Sequence, residues 1–240
     1  MRRRATVLSV LFAPLLAFAM TASVLTFAQG VTPTATPFVE PDGCQRPPDD
    51  YTRLWVNGGQ FNARTVAMLD HAQELYDALG GTEDLRLAIT QGGYNAGGVA
   101  ASFGTHDGGG AVDLSVRSHV DWSVLEDQIE PMIAALRVAG FAAWLRDTGD
   151  LYPDSPIHIH AIALGDAELS GMGRSQIDGT FGYLRGYDGL PRYDGVPVAD
   201  RHGGPAICQW MIDMGFTDMR NQPIPLPTPG GTALPVTALP

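Results

Sequence analysis

Two cysteines, Cys44 and Cys208, are all that this chain of 240 residues contains, and they stand at the two ends of everything in it that reads as globular. A bond between them forces any fold to return its last segment to its first, and closing so long a loop contributes about 4–5 kcal/mol in the chain-entropy picture. Such bonds persist in oxidising compartments, and the N-terminus points to one. Arg2, Arg3 and Arg4 precede an almost unbroken apolar run over 5–28, the pattern of a secretory signal. Thr26-Phe27-Ala28 offers a small-x-small exit, with cleavage before Gln29. The run is long for a signal, so an uncleaved membrane anchor is the alternative. Either way the remainder is expected outside the cytoplasm. Neither cysteine has the neighbours of a thiol nucleophile or a metal ligand, so the expectation is a structural disulfide.

Residues 29–43, QGVTPTATPFVEPDG, have no periodicity and read as a Pro/Thr linker; 221–240 read as a disordered, Pro-rich tail. The domain is expected over 44–220, and at 45% hydrophobic the chain can support a core. The spacing of Val66, Leu69, Leu75, Tyr76 and Leu79 predicts a helix over 62–79, stopped by Gly80 and Gly81. Alternation predicts strands over 85–90, 111–116, 141–145 and 157–164. Ser123 and Glu126 have capping-box spacing ahead of a second helix reaching Arg137, in which Pro131 implies a kink or restart. Residues 167–204 read as long ordered loops. The fold class expected is therefore α+β, a small and mostly antiparallel sheet flanked by helices, with long ordered loops toward the C-terminus.

All 15 basic residues are arginine, which excludes a P-loop lysine, a Schiff-base lysine and a Ser-Lys dyad. A formal charge of −11 argues against nucleic acid as a partner. What remains distinctive is histidine. In His106-Asp-Gly-Gly-Gly-Ala-Val-Asp113, strand alternation puts Ala111, Asp113 and Ser115 on one face, and the glycines let His106 swing over that face. In Ile157-His158-Ile159-His160, both histidines share a face while the isoleucines take the other. One of the pair can bind a metal while the other faces what the metal binds. His106, Asp113 and His160 supply three ligands for Zn2+ and leave the fourth position open, as in catalytic rather than structural zinc sites. Asp154, just upstream, is a candidate to orient water, or else an ordinary turn acid. His71 and His119 read as surface or packing residues, and so does His202, with a place lining the site from the C-terminal loops as its alternative.

Taken together these motifs resemble the superfamily of zinc D-Ala-D-Ala metallopeptidases, hedgehog signalling domains and lysostaphin-type peptidases. The form H-x-x-G-x-A-x-D, met by His106, Gly109, Ala111 and Asp113, is similar to the D-Ala-D-Ala carboxypeptidase and hedgehog branch. The resemblance spans roughly residues 85–164. It implies that His106, Asp113 and His160 bind zinc, that His158 stabilises the transition state or assists proton transfer, and that Asp154 positions the water. Three positions depart from the pattern. Gly104 stands where many members have a serine, Ile157 where many have a catalytic acid, and Asn95 follows Gly93-Tyr94 where many have a substrate-binding arginine. Tyr94 and Asn95 are carried as candidate substrate contacts on that correspondence alone.

The function this implies is a secreted, zinc-dependent peptidase hydrolysing peptidoglycan stem peptides, as a D,D-carboxypeptidase or endopeptidase. Its partner is the peptide substrate, with a membrane involved only if the N-terminal segment is retained. The alternatives are a catalytically silent, hedgehog-like zinc module that binds a cell-wall or protein partner, and a zinc amidohydrolase acting on another amide.

Overall fold

The computed structural model describes residues 38–98 and 100–223. The expected signal or anchor, most of the linker and most of the tail lie outside them. Among the described residues no helix is long and apolar enough to cross a membrane.

The first element is a hairpin that the alternation rule did not predict, β1 (Arg53–Val56) and β2 (Gly59–Asn62). Its turn is Asn57-Gly58, both at positive φ (43° and 80°), the pairing that a two-residue hairpin turn demands. Asn62 then caps α1 (Ala63–Ala78), its side chain accepting from the Thr65 N–H at 2.8 Å. The strand expected over 85–90 is shortened to β3 (Ile89–Gln91). The Asp84 carboxylate accepts from the N–H groups of Arg86 and Leu87, and its carbonyl from Ala88, so residues 85–88 turn instead of extending.

After β4 (Ala111–Ser115), the expected capping box does not form. Residues Arg117 and Val124 are bridged and the Leu125 N–H bonds the Val116 carbonyl, which holds Ser123 in extended chain; its hydroxyl bonds Asp121. Helix α2 (Glu126–Val138) therefore begins after Leu125, without a side-chain cap, and runs through Pro131 without interruption. Strands β5 (Phe141–Arg146) and β6 (His158–Ala163) follow close to expectation. Two further helices, α3 (Gly171–Asp178) and α4 (Gln209–Asp213), lie in the region expected to be loop or just beyond it.

The result is a mixed α and β fold with two small antiparallel sheets and four α-helices among the described residues. The four-stranded sheet has the order β3-β4-β6-β5, antiparallel throughout. Its two faces bury different things. Val112, Leu114, Ile159, Phe141 and Ala143 meet α1 and α2 in one apolar cluster. On the opposite face Ala142, Trp144 and Ile162 pack with Ile177, Tyr183, Trp210 and Met211 from the C-terminal region. A Cys44–Cys208 disulfide joins the two ends of the domain.

Candidate metal centre

The second face also carries polar side chains, in two rows set by strand register. Asp113 of β4 pairs with His160 of β6, which pairs with Trp144 of β5. One step along, Ser115, His158 and Arg146 form the next row. His106 comes from a 3₁₀ turn, Thr105–Asp107, between β3 and β4. That turn is held by close backbone approach: the Asn95 N–H bonds the His106 carbonyl at 2.9 Å and the Tyr94 N–H bonds the Gly108 carbonyl at 2.7 Å. A Cβ on Gly108 would lie 2.3 Å from the Glu168 carbonyl oxygen, so only glycine fits there.

His106, Asp113 and His160 converge as the spacing predicted, and all three are buried. His106 Nε2 lies 3.2 Å from Asp113 Oδ1 and 3.4 Å from His160 Nδ1. A tetrahedral ion with bonds of about 2.0–2.2 Å spaces its ligand atoms about 3.3–3.6 Å apart. The third separation, His160 Nδ1 to Asp113 Oδ1, is 2.7 Å, a hydrogen bond that must widen slightly when a metal takes the proton's place. Outer contacts already aim the lone pairs. The His106 Nδ1–H donates to the Gly92 carbonyl at 2.9 Å, leaving Nε2 facing the group. His160 Nε2 lies 3.1 Å from Gln176 Oε1, an acceptor for the ring's remaining proton once Nδ1 is given to a metal. Such partners fix tautomer and ring orientation in metal sites. Trp144 stacks on His160 at 6.1 Å between ring centroids.

Burial alone would raise the Asp113 carboxyl, but the facing His106 and His160 outweigh it and hold Asp113 well below its ordinary range. Burial pushes His160 down to about 4 against the pull of Asp113. For His106 the balance reverses: burial lowers it, and Asp113 and the Gly92 carbonyl raise it further than burial lowers it. The group thus offers one carboxylate and two imidazoles, a donor set suited to a divalent metal ion.

A cavity of about 20 Å³, room for a single water or ion, adjoins the three residues, and its walls include Ser102, Thr105, Arg146, His158 and Gln176. His158 donates its Nδ1–H to the Pro156 carbonyl at 2.8 Å, and its Nε2 lies 3.8 Å from Asp113 Oδ2.

The remaining site candidates are not brought to this cavity. Asp154 is exposed at φ 63° in the turn before β6 and does not line it. Tyr94 is structural: its hydroxyl donates to Glu168 and accepts from Asn62 Nδ2 at 3.0 Å, while Arg53 covers its ring. Asn95 acts through its backbone on the His106 turn. His202 pairs with Glu130. Sequence reasoning missed Arg146 and Gln176. The strand expected over 141–145 stopped one residue short of Arg146. Gln176 sits in a helix whose Ser170 cap is followed by Gly171 and Gly173, which mask its helical character.

No family model, curated protein or solved structure matches the chain. What the centre does has to come from its own chemistry.

Proposed function

We propose that this chain is an exported zinc-dependent peptidase that hydrolyses peptidoglycan stem peptides, as a D,D-carboxypeptidase or endopeptidase. The observation that carries the reading is the convergence of His106 Nε2, Asp113 Oδ1 and His160 Nδ1 within 3.4 Å of one another, beside a cavity that His158 also lines. Zn2+ held by these three residues supplies, when bound, Lewis acidity and water activation near neutral pH. The chain's own groups do the rest. Asp113 contributes the one negative charge, Gly92 keeps His106 in the ligating tautomer, and Gln176 offers an acceptor for the Nε2–H that His160 carries when Nδ1 binds the metal. His158, with its proton kept on Nδ1 by Pro156, presents a bare Nε2 that can take a proton from the attacking water and return it to the leaving amine. That role falls to His158 rather than Asp154. Export is supported by the basic-then-apolar N-terminus and by the Cys44–Cys208 disulfide.

A second reading, a silent zinc module that binds a wall or protein partner, is favoured by one observation: among the described residues Asp113 is the only carboxylate lining the cavity. Metal analysis of the mature protein with muropeptide digestion, with and without chelator, tests both. Chelator-sensitive cleavage supports the peptidase. A folded, zinc-loaded protein inert on D,D-, L,D- and D-Ala-D-Ala peptides leaves the binding module, and a protein that takes up no metal removes both.

A further inference from the structure

Arg146 ends β5 beside His158 and lines the cavity of the metal centre. It is 2% exposed, yet it forms no ion pair among the described residues. Its Nη1 donates to the backbone carbonyl of Asp188 at 2.6 Å, its guanidinium lies 5.1 Å from the Trp144 ring, and its Nη2 has no partner. Of the buried side-chain atoms without a partner among the described residues, this is the only one on a residue lining that cavity.

Nearby acids do not supply the missing charge. A second cavity of about 280 Å³ shares Arg146 and Leu190 with the first and is bordered by Asp150, Asp188 and Asp200. Each is committed elsewhere. Asp150 pairs with Arg201, Asp188 with Arg192 and the Leu190 N–H, and Asp200 with Arg137, while Asp113, across the first cavity, faces His106 and His160. Burial accordingly pushes the Arg146 guanidinium down to about 10. A desolvated cation with no carboxylate in ion-pair contact is a costly thing for a fold to keep, and Arg192 and Arg201 show that this region readily gives its arginines carboxylates.

We propose that Arg146 is an anion subsite where the two cavities meet, and that through Nη2 it takes a carboxylate of a ligand seated in the larger one. A single carboxylate fits better than a phosphate, because one unpaired cation with four acids around it favours a monoanion over a dianion. The subsite rests on the reading of the pocket as a ligand site, but Arg146 forms no hydrogen bond or ion pair with the three metal-holding residues and needs no metal to work.

The test is a titration of the full mature protein, zinc-loaded and chelator-treated, with N-acetylglycine and with N-acetylglycinamide, which lacks the charge. Binding is followed by shifts of the Arg146 side-chain N–H and its neighbours. The carboxylate is expected to bind about tenfold more tightly than the amide in both forms, the advantage of a charge-assisted hydrogen bond. Arg146→Met should abolish that preference and Arg146→Lys should keep part of it. Equal affinities in the chelator-treated wild type, no binding of either probe, tighter binding of inorganic phosphate, or a preference that survives Arg146→Met would each overturn the proposal. If Arg146→Met fails to fold, the wild-type comparison decides alone. A protein without peptidase activity leaves this comparison intact, so the two readings fail separately.

Discussion

Gln176 Oε1 lies 3.1 Å from Nε2 of His160, on the side of the ring away from Asp113, where it can accept the remaining proton when Nδ1 binds a metal. A residue of α3, outside both histidine motifs, thus supports a ligand on β6. Gln176→Leu should leave the fold intact but free the His160 ring to rotate or change tautomer. Zinc affinity, measured by competition with a chromogenic chelator, should fall by about 10–100-fold. Unchanged affinity would show that packing against Trp144 alone orients His160.

Direct removal of a ligand is expected to be more severe. Wild-type protein should carry one equivalent of zinc, and His106→Ala, Asp113→Asn and His160→Ala should each lose stoichiometric metal on dialysis. A full equivalent of zinc in His160→Ala would falsify the ligand assignment.

His158 and Asp154 separate by position. His158 lines the cavity and Asp154 is exposed in a turn. His158→Ala should therefore retain its zinc and lose about 10²–10³ in the rate of muropeptide hydrolysis, whereas Asp154→Asn should change that rate less than twofold. An equal loss in both variants would return Asp154 to the mechanism through a movement of its turn.

The Cys44–Cys208 disulfide closes nearly the whole domain. Thiol titration of denatured, unreduced protein should find no free cysteine. The Cys44→Ser, Cys208→Ser pair should lower unfolding free energy by about 2–5 kcal/mol in denaturant melts, and wild-type protein in reductant should approach the same midpoint.

Gly108 tests the turn that carries His106. A Cβ there meets the Glu168 carbonyl oxygen at 2.3 Å, a backbone atom that cannot swing aside. Gly108→Ala should weaken zinc binding without touching a ligand, while Gly97→Ala, with no atom within 4 Å of the added carbon but positive φ, should cost only modest stability.

Sequence alone carried the local periodicities and the side-chain directions they imply. Alternation placed Asp113 on one face of β4 with Val112 and Leu114 on the other, and put His158 and His160 opposite Ile157 and Ile159, because side-chain direction in a strand has period two wherever the strand is paired. The cysteines at the domain ends were legible for the same reason: they needed only position. What the tertiary structure decided was everything that depends on register and on contacts between distant segments. Strand pairing set Asp113, His160 and Trp144 in one row and Ser115, His158 and Arg146 in the next. Nothing in the residues around Arg146 says that the acids near it are already taken. The Asn57-Gly58 turn was written in the sequence and overlooked, but the start of α2 was not. Ser123 has the spacing of a cap and loses it to the Arg117–Val124 bridge, a pairing between residues that local pattern cannot relate. Asp154 stands close to His158 along the chain, yet the turn before β6 leaves it exposed, because a positive-φ bend redirects the side chain and proximity in sequence does not carry through it.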